Sequence, residues 1–492
     1  MKDLKHKVIR GGFAKAFAQG ASLVLRMGSL MVLARLLAPK EFGLVGMVTA
    51  FTGVLNLFRD FGLSSATVQR GHVTDDQIST LFWINILVGV VLGLILAGMA
   101  RFVAVFYHEP RLVWVSIILA TSFIFNGAGV QHTALLERQM RFTALAAIDI
   151  ISLVVSTAIV IGMAATGFGY WALVAAAVAV PLVSTLCLWF TTGWRPGRPH
   201  LHEEIHSMLR FGGAFTLINL IVYVAYNLEK VLLGRYWGAN ALGLYGRAYQ
   251  LINLPTENLN SAFWGVAFSG LSRVRHEPAR FRNYFLKGYA LVLALTIPMT
   301  IGAALFAHDL IFVLLGPKWN DVAGIFRLLA PTILIFALIN PLAWLTFSLG
   351  MVGRNLKIVL VLAPLVIGGY VLGLPYGPRG VAIGYSALMT IWAIPHIAWC
   401  VHGTVISLRD IFVAASRPFV SGIVAGGLAF GVQFFFGQSL PSLPRLILEV
   451  TVLLGAYVAM LFYVMGQKAV YWDLLQELWR RSPVEEDTLV PA

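Results

Sequence analysis

The chain has 492 residues, 59% of them apolar and only 12% charged, with a mean hydropathy of +0.81. Soluble domains carry about 25% charged residues, and their cores do not absorb so many apolar runs of about 20 residues, each long enough to cross a bilayer as a helix. A β-barrel would show segments of roughly ten residues alternating apolar and polar; these are absent, so the expectation is an all-α, polytopic membrane protein.

Apolar runs between polar or Gly/Pro breaks predict fourteen transmembrane helices. They cover about 11–37, 42–67, 79–104, 113–136, 143–166, 171–191, 211–236, 243–268, 285–307, 324–349, 356–374, 380–402, 416–437 and 444–466. The basic start, Met1 to Lys7, precedes an apolar stretch without a small-residue cleavage site, so it reads as a retained first helix. An even number of spans puts both termini on one side. Of the 36 Lys and Arg, 22 flank that side and ten the other, which orients both termini to the cytoplasm. The net charge of +14 is therefore an orientation signal, and no nucleic-acid partner is expected. Cys187 and Cys400 both lie inside apolar runs, so neither a disulfide framework nor a CxxC metal site is expected. The outer loops are short, the longest running from about Ala307 to Ala323. On the cytoplasmic side lie a basic loop at 269–284, suited to anionic lipid, and a tail whose Val470, Tyr471, Leu474, Leu475 and Leu478 have the spacing of an interfacial helix.

An internal repeat organises the spans. Arg35-Leu-Leu-Ala-Pro-Lys-Glu-Phe-Gly43-Leu44-Val-Gly46 and Arg235-Tyr-Trp-Gly-Ala-Asn-Ala-Leu-Gly243-Leu244-Tyr-Gly246 share Arg, Gly, Leu and Gly at a constant offset of 200. Both cover the outer turn after the first helix of a six-helix set. This predicts two pseudo-symmetric six-helix lobes, 1–191 and 211–402, joined by a cytoplasmic linker at 192–210. Two additional helices at 403–466 and a cytoplasmic tail at 467–492 follow.

Polar stripes fall on the spans that the repeat makes equivalent. Helix 1 carries Lys15, Gln19, Ser22, Arg26 and Ser29; helix 2 carries Thr49, Thr52, Asn56 and Arg59, with Asp60 adjacent. Helix 7 has Thr216, Asn219, Tyr223, Asn227 and Lys230; helix 8 has Arg247, Gln250, Asn253, Glu257 and Asn260, with Pro255 able to bend it. A charge at bilayer depth usually faces a bundle interior or a watery cavity. The stripes together therefore predict one hydrated cavity between the lobes, with Arg26, Arg59 and Arg247 projecting toward a common space. Taken singly, Arg59 and Asp60 could satisfy nearby chain ends, and Lys230 and Arg247 could snorkel. Arg26, Arg59, Lys230 and Arg247 outnumber Asp60, Glu229 and Glu257 by one, and arginine suits bidentate phosphate contact. The cavity thus leans toward an anionic ligand such as a diphosphate. Asp149, with Ser152 and Ser156, has two readings, a proton or ion site and a structural partner for an arginine, of which the second is favoured.

His202-Glu203-Glu204-Ile205-His206 matches the HExxH pattern of zinc proteases. It lies in the linker, and no third ligand stands at a recognisable spacing, so an interfacial amphipathic run explains it and no catalytic metal is expected. No GxxxxGK[ST] string is present, and no cofactor is expected.

Several strings together resemble the polysaccharide transporter family. They are Asn56-Leu-Phe-Arg-Asp-Phe-Gly-Leu-Ser64, Leu36-Leu-Ala-Pro-Lys-Glu-Phe-Gly43, Gly243-Leu-Tyr-Gly-Arg-Ala-Tyr-Gln-Leu251, Leu315-Gly-Pro-Lys-Trp319 and Leu136-Glu-Arg-Gln-Met-Arg-Phe142. That family belongs to the multidrug/oligosaccharidyl-lipid/polysaccharide exporter superfamily, and the chain is most similar to its Wzx-like branch. The resemblance covers about 1–466. It implies an inner-membrane flippase for undecaprenyl-diphosphate-linked sugars, working by alternating access in lipopolysaccharide or exopolysaccharide synthesis. It implies a lipid-linked oligosaccharide and membrane lipids as partners, beside a polysaccharide polymerase or glycosyltransferases. It also implies that Arg26, Arg59 and Arg247 meet the diphosphate, matched by helix and not by a fixed motif. Many relatives have an aspartate on helix 7, where this chain reads Asn227-Leu-Glu229-Lys230. The alternative is a cation-coupled drug antiporter of the same superfamily, for which an acidic cavity would be expected. An intramembrane protease or a sugar polymerase would need a completed metal site or a large outer loop.

Overall fold

The computed structural model describes residues 2–59, 67, 74–199, 205–436 and 440–467, and among them there is no strand. The first helices are α1 (Lys2–Leu36), α2 (Pro39–Asn56), α3 (Asp75–Tyr107), α4 (Leu112–Arg138), α5 (Phe142–Ala165) and α6 (Tyr170–Thr192). A single element, Ile205–Arg273, is divided by non-helical Gly238 into α7 (205–237) and α8 (239–273). Then come α9 (Pro278–Leu305), α10 (Ala307–Leu315), α11 (Asn320–Leu329), α12 (Pro331–Ser348), α13 (Val352–Gly373), α14 (Gly377–Val401), α15 (Leu408–Phe436) and α16 (Ser442–Ala459).

Among the described residues nine helical stretches are long and apolar enough to cross a bilayer, and one of them, Val352–Val401, holds both α13 and α14. The other four of the expected fourteen spans are α1, α2, α7 and α8, and the first parts of α1 and α7 lie outside the residues whose side chains are described. These four carry the polar stripes. An apolar span is at home in hydrocarbon, whereas a polar stripe needs protein or water beside it. Large apolar side chains elsewhere stay uncovered, among them Leu94, Val105, Phe190, Ile391 and Phe435, as lipid-facing positions should.

Three departures from the sequence reading bear on how the spans are built. The second span, expected to run to 67, ends at Asn56, where the backbone tightens into i→i−3 bonds from Phe58 to Leu55 and from Arg59 to Asn56. The tenth, expected at 324–349, is broken between α11 and α12, because Pro331 has no N–H to continue the ladder and instead starts a helix. The segment 307–323, expected as an outer loop, forms α10 and a tight 3₁₀ turn, Pro317–Trp319.

The chain forms two compact units. The first comprises Met1–Ala248, Leu314–Ile325 and Val359–Tyr385; the second comprises Tyr249–Val313, Phe326–Ile358 and Ser386–Ala492. In the first unit α3 packs along α4, α4 and α5 on α6, and α1 on α5. The α3–α4 crossing is close because both sides are small: a Cβ on Gly89 or Gly93 would strike the carbonyl of Phe123 or Ala120, and one on Gly127 that of Asn85. In the second unit α9 packs on α12 and α15, and α15 on α16. Their shared core includes Phe281, Phe285, Tyr289, Trp344 and Tyr457.

The repeat has a physical counterpart inside the first unit. A Cβ on Gly43 would run into the Ala239 carbonyl, and a Cβ on Gly243 would run into the Pro39 carbonyl. Each glycine thus meets the residue equivalent to the other's own neighbour, shifted by 200. The turns correspond as well. Ala38 is extended (φ −85°, ψ 156°) before Pro39 opens α2, and at the position 200 residues on, Gly238 separates α7 from α8 with φ 78° and ψ −177°, a region open essentially to glycine alone.

Candidate functional site

The polar residues of α1, α2 and α7, together with Arg247 of α8, all belong to the first unit. Gln250 and Glu257 (both exposed) and Asn253 (half-buried) continue α8 into the second unit. Asp60 and the His202–His206 string lie outside the residues whose side chains are described, as do Lys15, Thr216 and Asn219.

At the N-terminal end of α2, Arg247 is half-buried and lies over the Phe42 ring, 3.9 Å from its centroid, a cation–π contact. Phe42 meets Trp319 edge-on at 5.4 Å. The Trp319 indole donates to the Ala34 carbonyl at 2.7 Å, and Lys318 donates to the Arg35 carbonyl at 3.2 Å. These carbonyls belong to the last turn of α1, where no further helical N–H can reach them. The Pro317–Trp319 turn therefore caps α1 and fixes the ring on which Arg247 rests. Sequence reasoning quoted this turn as a family string without giving it that job. Only the apposition of 34–35 with 318–319 in the fold reveals it.

Midway along α1, Arg26 is exposed and forms no ion pair among the described residues. Ten residues separate it from Leu36, about 15 Å at the helical rise. Gln19, also exposed, stands seven residues away on the same face, with Ser22 and Ser29 half-buried beside it. Val24, at 71% exposure, marks a different face, two residues or about 200° around the helix from Arg26. The helix thus shows an apolar face fit for lipid and a separate polar face that lipid would not solvate.

Beyond the C-terminal end of α2, Arg59 is half-buried and donates to the Asn126 Oδ1 of α4 at 3.2 Å. Asn126 is anchored in turn by its own amide, which donates to the Ser122 carbonyl at 2.9 Å. Asn126 was missed in the sequence; its i−4 partner Ser122 inside an otherwise apolar run was the available signal. Arg59 stands past the helix end, so the four-residue stripe expected on α2 is interrupted before it. Asn56 is exposed, whereas the Thr49 and Thr52 hydroxyls donate to carbonyls of their own helix. Nearby, Arg138 of the Leu136–Phe142 string donates to the Thr67 carbonyl at 2.7 Å.

On α7, Lys230 is half-buried and donates to Asn227 Oδ1 at 2.6 Å, and the Asn227 amide donates to the Tyr223 carbonyl at 2.9 Å. Glu229 is fully buried, with no hydrogen-bond partner for either carboxylate oxygen among the described residues.

The three arginines do not converge on one point. Phe42 and Asn56 are 14 residues apart on α2, roughly 21 Å, so Arg247 and Arg59 stand at opposite ends of that helix. Arg26 lies at an intermediate depth on α1. The cations form a ladder through the thickness of the first unit. The physical reason is that a helix carrying polar residues over its whole length spreads them across the bilayer, whereas convergence would need residues at one level on several helices.

Residues 32–324 match the family described as "Polysaccharide biosynthesis protein". Among curated relatives, the lipopolysaccharide biosynthesis protein WzxC of Escherichia coli (strain K12) is 25% identical over 402 residues, 79% of this chain and 80% of the relative. The teichuronic acid biosynthesis protein TuaB of Bacillus subtilis (strain 168) is 27% identical, covering 69% of this chain and 71% of its own length. The succinoglycan biosynthesis transport protein ExoT of Rhizobium meliloti (strain 1021) is 23% identical across 93% of both chains. Among solved structures, the lipid II flippase MurJ in an inward closed conformation superposes with a TM-score of 0.75 at 13% identity, covering 94% of this chain and 99% of MurJ. An inward-facing multidrug resistance MATE family transporter of the MOP superfamily has a TM-score of 0.62 at 15% identity, covering 80% of this chain and 96% of its own. At that identity the likeness is one of fold. With the family match spanning more than half its length, this multi-pass helical membrane protein belongs to the polysaccharide biosynthesis protein family.

Proposed function

We propose that the protein is a flippase for lipid-linked oligosaccharides of the undecaprenyl-diphosphate class, moving them across the bacterial inner membrane by alternating access between two six-helix lobes. The observation that carries the reading is the ladder of Arg247, Arg26 and Arg59 within one unit, on the polar faces of spans that lipid would not solvate. A diphosphate brought into low dielectric is stabilised by matched cations and direct hydrogen bonds. Cations at successive depths give such a group a contact at each stage of its passage, while the sugar meets uncharged donors and acceptors such as Gln19 and Asn56. The relatives named for lipopolysaccharide biosynthesis and succinoglycan transport, and the MurJ fold, support the same substrate class. The reading involves translocation alone, with no bond made or broken. Both termini face the cytoplasm in this proposal, on the strength of the charge bias, and the polymerase and glycosyltransferases of the pathway are its functional neighbours.

The test is glycan export measured beside protein abundance in the membrane. Arg26→Ala and Arg59→Ala should each cut export by about one to two orders of magnitude at unchanged abundance, the worth of one charged hydrogen bond (roughly 1.5–3 kcal/mol). Lysine at either position should restore export in part, since it keeps the charge and loses the fork. Wild-type export by both alanine variants at wild-type abundance would remove the diphosphate ladder. A fall in abundance matching the fall in export would make these arginines structural.

A further inference from the structure

Within the second unit, a cavity of about 490 Å³ opens where α9 and α15 begin and the chain leaves α16. Arg282 and Lys287 come from α9, Arg409, Asp410 and Arg417 from α15, and Gln467 follows α16. Among the described residues Asp410 contributes the only carboxylate lining the cavity, and it is already engaged: Arg282 donates to it through Nε at 3.0 Å and Nη2 at 2.5 Å, and the Ser407 N–H donates at 3.0 Å. Lys287, Arg409 and Arg417 have no ion pair among the described residues. The cavity therefore holds an excess of three positive charges, beside the positive ends of two helix dipoles.

Its surroundings narrow the chemistry of what fits there. Arg409, Val413 and Arg417 follow one another at four-residue intervals on a single face of α15, so charge and apolar surface alternate there. Exposed Phe412, Val413, Phe419, Val420 and Ile423 extend from the cavity along the same helix, each more than 40% exposed. A ligand that satisfies both parts carries an anionic head with hydrocarbon directly attached. We infer that this cavity seats the phosphate of an anionic phospholipid, its acyl chains running along the apolar side of α15. The inference depends on the chain spanning a membrane and not on the identity of the transported substrate.

The experiment uses the purified full-length protein in nanodiscs and in mixed vesicles, reading bound lipid by native mass spectrometry with phosphatidylglycerol or phosphatidylcholine as the probe. The wild-type protein should retain phosphatidylglycerol preferentially. The variant K287Q/R409Q/R417Q should lose the preference, about fivefold for each cation removed, with the Arg282–Asp410 pair left in place. The variant R273Q/R275Q/K357Q, which removes equal charge outside the cavity, should keep it. If the triple cavity variant elutes or melts abnormally, the single Arg417→Gln reads the same preference. Equal losses from both triple variants would overturn the inference in favour of diffuse surface charge. Displacement of the lipid by millimolar inorganic phosphate would overturn it in favour of a free-phosphate site. A gain in lipid binding on removing residues 468–492 that also abolishes the effect of R409Q/R417Q would assign the cavity to the acidic end of the chain instead.

Discussion

The Trp319 indole is fully buried, and its N–H is spent on the Ala34 carbonyl at the end of α1. Replacing it with phenylalanine leaves that carbonyl without a donor in a region that excludes water. It also opens a void beside Phe42, the ring beneath Arg247. Trp319→Phe should therefore lower stability by about 1–3 kcal/mol. Trp237 makes a similar bond, to the Leu374 carbonyl at 2.8 Å, but is 47% exposed. Trp237→Phe should cost well under half as much, because surrounding polar groups can replace the lost donor. Thermal melting of the detergent-purified variants checks the ordering, and equal melting temperatures would show that Trp319 is no cap. The sequence contained both tryptophans and the Leu315–Trp319 string. The pairing across nearly 300 residues that gives Trp319 its role is a property of the fold, which no local spacing encodes.

At the scale of elements, the seam between the start of α2 and the start of α8 sets the demands on individual glycines. Gly43 and Gly243 each lie against backbone, which cannot swing aside as a side chain can. Gly43→Ala and Gly243→Ala should each destabilise by roughly 1–3 kcal/mol. The double variant should cost less than their sum, since prying the seam open for one methyl makes room for the other. The second glycine of each repeat string is the internal control. A Cβ on Gly246 meets open space, and one on Gly46 meets only the Leu242 side chain at ordinary contact distance. Gly246→Ala should be neutral or gain up to about 1 kcal/mol from helix propensity. Denaturant or thermal unfolding of the four variants reads all of this; loss of stability at 246 comparable to that at 243 would refute the seam. The offset of 200 and the shared Arg, Gly, Leu and Gly were legible in the sequence. Which glycine of each pair bears the contact was not, because both sit one turn apart in the same helical pattern.

For the whole molecule, the number of crossings followed from apolar run length, and the stripes fall on α1, α2, α7 and α8. Helix ends followed less well. Asn56 closes α2 while apolar residues still follow it in the chain, and a hydropathy run cannot distinguish a helix that continues from an apolar turn. The candidate site was legible as a set of helices and as a sign of charge. Its geometry was not: a stripe gives the face of a helix but not the level at which each residue stands relative to its neighbours. The expectation was a common space for the three arginines, and the fold shows Arg247 and Arg59 at opposite ends of α2.

The reciprocal contact of Gly43 with Ala239 and of Gly243 with Pro39 is the kind that two identical subunits make across a twofold axis. We propose that the two halves of the repeat behave as two subunits that share one backbone. The tether then supplies effective concentration and little else. Severing the chain between residues 199 and 205, and producing the two pieces together in one cell, should leave fragments that find each other in the membrane, co-purify and export glycan. The same fragments carrying Gly43→Leu in one piece should part company, because a bulky side chain closes a place where their backbones meet closely and reciprocally.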